Sequence, residues 1–363
     1  MNKNKIKKII LTGGGTGGHL IPSFAIADKL KALDKNLKIK FIGSKWGIES
    51  KLYKDRKETY HLIDIKGFKR KISIFSIYEN IVLFPIRFVK SILQVLIIFI
   101  QFKPDAIIGT GGYSSAVPLL VAKIKKVKIY IQEQNAIPGL VNKFFLKSAN
   151  KVFFGFKNEC NEKKYYHSGN PILNVVENSL DKSKKNIENN FTIFIIGGSQ
   201  GSVPINDHFY KNYHHYVNEN IKIIWQCGQS NFSKIKKNIS NENIELLGFI
   251  QPKDMNLYYK KADLVICRSG ALTLTELANY CVPSILIPLP NSANDHQFQN
   301  AKYFSDYNAA ITINQKELKK GILEKTFLNI LNEKKKLEKM KLGLQKISMK
   351  NSAEYISKEI LDF

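Results

Sequence analysis

With 363 residues, 44% hydrophobic and 11% aromatic, the chain is long and apolar enough for about two globular domains, which excludes a disordered tail or a disulfide-stapled miniature. Its formal net charge of +26 points to an anionic partner: nucleic acid, an acidic membrane face or a phosphate-rich substrate. Lys, Asn and Ile are abundant throughout, so charge alone selects none of these.

The amino terminus is basic, but only Ile9-Ile10-Leu11 precedes the first glycines, too short a run for a signal-peptide core. Lys8 to Thr12 reads as a strand, Gly13-Gly14-Gly15-Thr16-Gly17-Gly18-His19 as a turn, and a helix follows to about Leu33. Lys38 to Gly43 is a second strand. The glycine string satisfies G-x-G-x-x-G, yet the second strand ends in Ser44-Lys45, with no carboxylate for an adenosine ribose, and no G-K-[ST] exists for a P-loop. What remains is a backbone surface bare of side chains, able to approach a phosphate or sugar closely.

Phe68 to Phe88 mixes Lys69-Arg70-Lys71 and Arg87 with large apolar residues, which suits either a patch dipping into an anionic leaflet or a loop and helix folded onto the core. Ser91 to Phe102 is the longest apolar run; it is too short to span a bilayer and reads as a buried helix. A strand opening at Pro104-Asp105 leads to a second glycine turn, Gly109-Thr110-Gly111-Gly112-Tyr113-Ser114. Ile129-Tyr130-Ile131 ends in Gln132-Glu133-Gln134-Asn135, polar residues expected at the ligand crevice of an open α/β sheet.

Gly169-Asn170-Pro171 marks a break, and the polar stretch Asn178 to Asn190 reads as a surface connection. The alternation then restarts with Phe191 to Ile196, a third glycine turn at Gly197-Gly198-Ser199-Gln200-Gly201, and strands at Ile221 to Gln226 and Ile244 to Leu247. Asp263 to Cys267 is a buried strand, Arg268-Ser269-Gly270 breaks it, and Ala271 to Tyr280 has helical composition, with Ser269 or Gly270 as N-cap. The free N–H groups of Ala271, Leu272 and Thr273 then form an anion site, and Glu276, placed in the same first turn, is positioned to accept the vicinal hydroxyls of a ribose. The competing reading is an ordinary βα unit with a capped helix. A strand at Ser284 to Leu289 completes the series, and the Lys-rich helical stretch from Gln315 reads as a solvated closing segment. Strand–helix alternation in both halves predicts an α/β protein of two doubly wound parallel sheets with a cleft between them.

Four scattered cysteines, Cys160, Cys227, Cys267 and Cys281, form no C-x-x-C pair, so reduced residues of a cytosolic protein are expected and a zinc site is not. No Asp-x-Asp occurs, so a metal-bridged diphosphate of that kind lacks support, and the helix dipole and amides take over stabilisation of a leaving nucleotide diphosphate. His19, just inside a helix N-terminus where the dipole disfavours the imidazolium, is a candidate general base for a sugar hydroxyl, or alternatively a loop-orienting histidine. His208, His214, His215 and His296 lack metal spacing, and His296 is expected to contact ligand.

The strings GGTGGH at 14–19, GTGGY at 109–113, QEQN at 132–135, GNP at 169–171, GGSQG at 197–201, CRSGALTLTE at 267–276 and DHQxxNA at 295–301 occur in this order. Together they closely resemble the undecaprenyl-diphospho-muramoylpentapeptide β-N-acetylglucosaminyltransferase family, over essentially the whole chain. The resemblance implies the glycosyltransferase B (GT-B) fold, two Rossmann-like domains facing a cleft, with a final helix near Ser352 to Leu361 returning to the first. It implies residues 1–171 plus 346–363 as an acceptor- and membrane-binding domain and 172–345 as a UDP-GlcNAc-binding domain. The implied reaction is inverting, metal-independent and cofactor-free transfer of GlcNAc from UDP-GlcNAc to the C4 hydroxyl of the MurNAc of lipid I, forming lipid II for peptidoglycan.

Carried over by position, the donor contacts are Thr16, Gly17, Gly18, Asn135, Ser199, Ile250, Arg268, Ala271, Leu272, Thr273, Leu274, Thr275, Glu276 and Gln297, with the Ile250 backbone reading uracil and Glu276 the ribose. Gly14, Gly15, Gly111, Gly112 and Tyr113 face the acceptor diphosphate, and His19 is the candidate base. The implied partners are UDP-GlcNAc, lipid I and an anionic membrane surface, with no nucleic acid, at the cytoplasmic face of the bacterial inner membrane. Two departures stand out: Leu173 occupies a position where many members carry Arg, and Gln132 replaces the His of HEQN. The rival expectations are another enzyme of this fold, such as a UDP-GlcNAc 2-epimerase, a basic nucleic-acid-binding protein without a recognised reader motif, and, weaker, a nicotinamide oxidoreductase.

Overall fold

The computed structural model describes residues 6–69, 73–157, 162–173, 190–198 and 200–362. They fall into two compact units, Met1–Leu173 with Asn351–Phe363, and Asn174–Lys350.

In the first unit, β1 (Lys8–Thr12), β2 (Lys38–Ser44), β3 (Thr59–Ile63), β4 (Ala106–Gly109), β5 (Lys128–Glu133), β6 (Lys151–Phe154) and β7 (Tyr165–His167) form a parallel sheet in the order β3-β2-β1-β4-β5-β6-β7. Its helices are α1 (Gly17–Leu33), α2 (Glu49–Leu52), α3 (Ile74–Tyr78), α4 (Phe84–Phe102), α5 (Ala116–Ile124) and α6 (Leu140–Phe145). The central strands are unbroken apolar runs because both faces are covered. Ile10 packs with Ile42, Ile107 and the α4 residues Val95 and Phe99 on one side. Ile9 and Leu11 pack with Phe41 and the α1 residues Leu20 and Ile26 on the other. The last helix, α14 (Ser352–Leu361), joins this second layer through Ile356 and Ile360, with Lys29 paired to Glu354 at 2.9 Å.

The second unit repeats the pattern with β8 (Phe191–Ile196), β9 (Ile221–Gln226), β10 (Ile244–Leu247), β11 (Leu264–Cys267), β12 (Ser284–Leu286) and β13 (Ala310–Thr312), ordered β10-β9-β8-β11-β12-β13, all parallel. Its helices are α7 (Val203–Asn212), α8 (Gln229–Asn238), α9 (Met255–Lys261), α10 (Ala271–Tyr280), α11 (His296–Asp306), α12 (Ile322–Asn332) and α13 (Lys334–Ile347). In each sheet the strand order reverses beside the first strand, between β1 and β4 and between β8 and β11. Connections leave such a point toward opposite faces, so a crevice opens at its carboxyl edge. All three glycine turns, and the Arg268-Ser269-Gly270 break, leave from those strand ends.

Two expectations are corrected. The run from Ser91 to Phe102 is the end of one continuous helix, Ile74–Phe102, 29 residues long and apolar enough by length and composition to cross a membrane. It is not a buried helix: Ser91, Val95, Ile98, Phe99 and Phe102 face the core, while Ile86, Val89, Leu93, Ile97 and Ile100 are each more than half exposed. The stretch after Gln315 is not merely solvated, since Leu323, Phe327 and Ile330 of α12 belong to the core of the second unit. Strands β3, β6, β7 and β13 were not foreseen, being three to five residues long and too short to show a period.

Candidate active site

The first and second glycine turns interlock in the N-terminal unit. Gly14 donates its N–H to the Gly111 carbonyl at 3.3 Å, and a Cβ on Gly112 (φ +80°) would collide with the Gly14 carbonyl. Gly15 (φ +83°) lies under the Tyr113 ring, whose phenol burial pushes up in pKa. Gly15 donates its N–H to Glu49 Oε2 at 2.8 Å, and Ser44 donates to Oε1 at 2.9 Å. The Gly14 and Gly15 amides are therefore engaged by the Gly111 carbonyl and the Glu49 carboxylate, so any contact these two glycines make with a diphosphate is an approach of bare backbone. Among the described residues, the N–H groups of Gly17, Gly18, Gly111 and Gly112 have no partner, and Thr16 is an N-cap whose side chain makes no capping bond. The amides of Gly17 and Gly18 sit at the positive end of α1 and those of Gly111 and Gly112 in the turn after β4, and these four are available to an anion.

Glu49 was missed because no motif marks it. Fully buried on the one-turn helix α2, it is enclosed by Gly14, Gly43 and Gly47, where any Cβ would strike its side chain. The glycines flanking it at 43 and 47 were the only signal.

His19 follows the open amides. Its Nδ1 lies 3.1 Å from the Thr110 carbonyl and 2.9 Å from Gln134 Oε1. A carbonyl only accepts, so Nδ1 carries the hydrogen and Nε2 carries the lone pair. That is the tautomer a general base needs. Gln132, Glu133 and Gln134 are buried rather than facing a crevice, and only Asn135 is partly exposed. Glu133 Oε1 accepts from the Asn135 backbone at 2.9 Å and from its Nδ2 at 3.2 Å, orienting that residue.

In the C-terminal unit, α10 begins at Gly270, the N-cap; Ser269 instead donates to the Gln297 carbonyl at 2.8 Å. No side chain caps this end, so the amides of Ala271, Leu272 and Thr273 are open among the described residues. Leu274 bonds back to the Gly270 carbonyl at 3.0 Å and Thr275 Oγ1 to the Ala271 carbonyl at 2.9 Å, so these two shape the turn. Glu276 stands in the second turn, not the first, as the sixth helical residue. Its Oε2 accepts from the Tyr259 hydroxyl at 2.8 Å, and burial pushes its pKa up to about 7. Its Oε1 has no partner among the described residues.

Arg268 is 8% exposed and its guanidinium donates to the carbonyls of Ile287 and Pro288, to Ser202 Oγ and to Gln315 Oε1. It braces the loops around the helix end, and no carboxylate pairs with it among the described residues. The Gln297 Oε1 accepts from the Leu289 N–H at 2.9 Å, which leaves its amide hydrogens for a ligand. Ile250 is buried after β10, and its backbone groups make no hydrogen bond among the described residues. His296 places Nδ1 on the Ala293 carbonyl, which occupies that nitrogen. Ser199 lies outside the described residues, as do Cys160 and Arg70-Lys71. Cys227 and Cys267 are free and buried. The candidate residues thus gather into two constellations, one in each unit.

Residues 9–154 match the glycosyltransferase family 28 N-terminal domain and residues 192–356 the glycosyltransferase family 28 C-terminal domain. The chain is 36% identical to the UDP-N-acetylglucosamine–N-acetylmuramyl-(pentapeptide) pyrophosphoryl-undecaprenol N-acetylglucosamine transferase of Flavobacterium psychrophilum, over 98% of this chain and 97% of the relative. It is 38% identical to the protein of the same name from Vesicomyosocius okutanii, over 99% and 98%. Among solved structures, Acinetobacter baumannii MurG superposes with a TM-score of 0.79 at 27% identity, covering 98% of this chain and 100% of that one.

Proposed function

The chain belongs to glycosyltransferase family 28, and from that membership we propose that it transfers GlcNAc from UDP-GlcNAc to the C4 hydroxyl of the MurNAc of undecaprenyl-diphospho-MurNAc-pentapeptide, lipid I, forming lipid II. The observation that carries the donor half is the uncapped start of α10, with a carboxylate whose second oxygen is open. The amides of Ala271, Leu272 and Thr273 hold the uridine diphosphate, Glu276 Oε1 accepts from the ribose, and the Ile250 backbone and the Gln297 amide bind uracil and sugar. As the bond from the sugar C1 to the diphosphate breaks, charge grows on the leaving group, where the helix dipole and amides are already aimed.

In the N-terminal unit, the open amides of Gly111 and Gly112 take the acceptor diphosphate, and those of Gly17 and Gly18 are kept for the donor. The His19 Nε2 lone pair accepts the C4 hydroxyl proton as that oxygen attacks C1 from the face opposite the leaving group, which inverts the anomeric centre. Leu173 rests against the N-terminal core, so no contact to the donor is assigned there.

We place the protein on the cytoplasmic face of the inner membrane, where its positive charge meets anionic headgroups and not nucleic acid. The exposed stripe Ile86, Val89, Leu93, Ile97 and Ile100 lies beside Lys90, and Ile74, Phe75 and Ile81 extend it. The opposite face of the same helix is committed to the core, which suits lying on a leaflet more than crossing it. Glu276→Ala tests the donor half. It should raise the KM for UDP-GlcNAc by an amount equivalent to about 2 kcal/mol, since a hydrogen bond to a charged group is lost. Unchanged donor kinetics would remove Glu276 from the site.

A further inference from the structure

We propose that three buried side-chain amides, Asn170, Gln132 and Gln134, form a polarised relay that fixes the tautomer and ring orientation of His19. The proposal rests on the reading of His19 as general base. The three residues come from two separate segments, the end of β5 and the GNP turn, and all are 0–1% exposed.

The direction of every bond is set by backbone carbonyls, which cannot donate. Asn170 Nδ2 donates to the Gln134 carbonyl at 3.0 Å, which turns Asn170 Oδ1 toward Gln132. Gln132 Nε2 donates to that oxygen at 2.9 Å, so Gln132 Oε1 faces Gln134 and accepts from its Nε2. Gln134 Nε2 also donates to the Thr110 carbonyl at 2.8 Å and the Gln132 carbonyl at 3.2 Å. Gln134 Oε1 is left pointing at His19 Nδ1, 2.9 Å away. Reversing any one amide would set oxygen against oxygen or N–H against N–H in a buried site, where an unmade hydrogen bond is costly. Gly155 makes room for the arrangement, since a Cβ there would strike the Asn170 side chain.

The consequence is chemical. When Nε2 takes the acceptor proton, the ring becomes imidazolium with an N–H on both nitrogens. Nδ1 keeps the same two acceptors, Thr110 O and Gln134 Oε1, so the charge is stabilised without any rearrangement. Gln132 suits the role because an amide presents donors at its nitrogen and an acceptor at its oxygen and does not titrate near neutrality. These three are positioning residues: none is argued to touch substrate.

The test combines kinetics with a direct reading of the tautomer. In wild-type protein carrying 15N-labelled histidine, His19 should show a protonated Nδ1 and an unprotonated Nε2; the opposite assignment overturns the relay without recourse to any variant. In Gln132→Met and Gln134→Met, kcat with a short-chain lipid I analogue should fall about tenfold or more, with KM for UDP-GlcNAc changed less than about twofold. Folded variants with wild-type kcat would also overturn it. His19→Ala separates the two claims. If it keeps wild-type kcat the general-base reading fails, and the relay is then judged on the nitrogen shifts alone. If His19→Ala is slow while both methionine variants are not, the relay fails by itself.

Discussion

At the scale of single residues, the most informative group is Glu276. Its folded-state pKa of about 7 lies above its ordinary 4.5 because burial penalises the carboxylate more than the Tyr259 hydrogen bond favours it. Ribose recognition needs the ionised form, which accepts and does not donate. UDP-GlcNAc affinity should therefore fall as pH drops from about 8 to about 6, and Glu276→Gln should flatten that limb, read by titration calorimetry. The sign reverses for stability. Between pH 4.5 and about 7 the folded state binds more protons than the unfolded one, so the stability contributed by this group is complete below 4.5 and lost as pH rises through about 7. Urea unfolding of unliganded Glu276→Gln should show that slope removed. An identical pH profile in the two proteins would contradict the assignment.

At the scale of elements, the two interlocked glycine turns behave as one unit. Gly112→Ala adds a Cβ against the Gly14 carbonyl at a φ of +80°, where no flexible side chain can give way. It should cost roughly 1–3 kcal/mol or more in stability and lower acceptor use with it, measured by thermal unfolding and acceptor KM. The helix Ile74–Phe102 makes a separate prediction. Ile97→Glu, on the exposed stripe, should weaken co-sedimentation with anionic vesicles while leaving the melting temperature unchanged, because position 97 does not face the core. Undiminished vesicle binding would exclude this stripe as the membrane face.

These elements also show what could be read beforehand. Strand ends, glycine turns and the start of α10 were legible because each is a local pattern: an apolar run, a break, a helix. The helix 74–102 was half-read, since Ser91 to Phe102 is apolar on every side and the sequence does not say which side meets the core. Glu49, Tyr259 and the inward turn of Gln132 and Gln134 were not legible. Their roles come from contacts across the fold, such as Glu49 to Gly15 over 34 residues and Gln132 to Asn170 over 38.

At the scale of the whole molecule, two units of the same winding each carry a switch-point crevice with open amides. The formal charge of +26 belongs to a chain whose relatives are named for UDP-N-acetylglucosamine and a pyrophosphoryl-undecaprenol acceptor, both phosphate-bearing. Vesicle binding should therefore weaken with added salt, as screening of exposed cations requires. The measurement that bears most directly on the account is the transfer of labelled GlcNAc from UDP-GlcNAc to a short-chain lipid I analogue, with EDTA in a parallel reaction. A labelled disaccharide-lipid should form only with both substrates and at the same rate with EDTA, and Glu276→Ala should need more UDP-GlcNAc to reach that rate. Conversion of UDP-GlcNAc to UDP-ManNAc without acceptor, and no labelled lipid, would contradict the account.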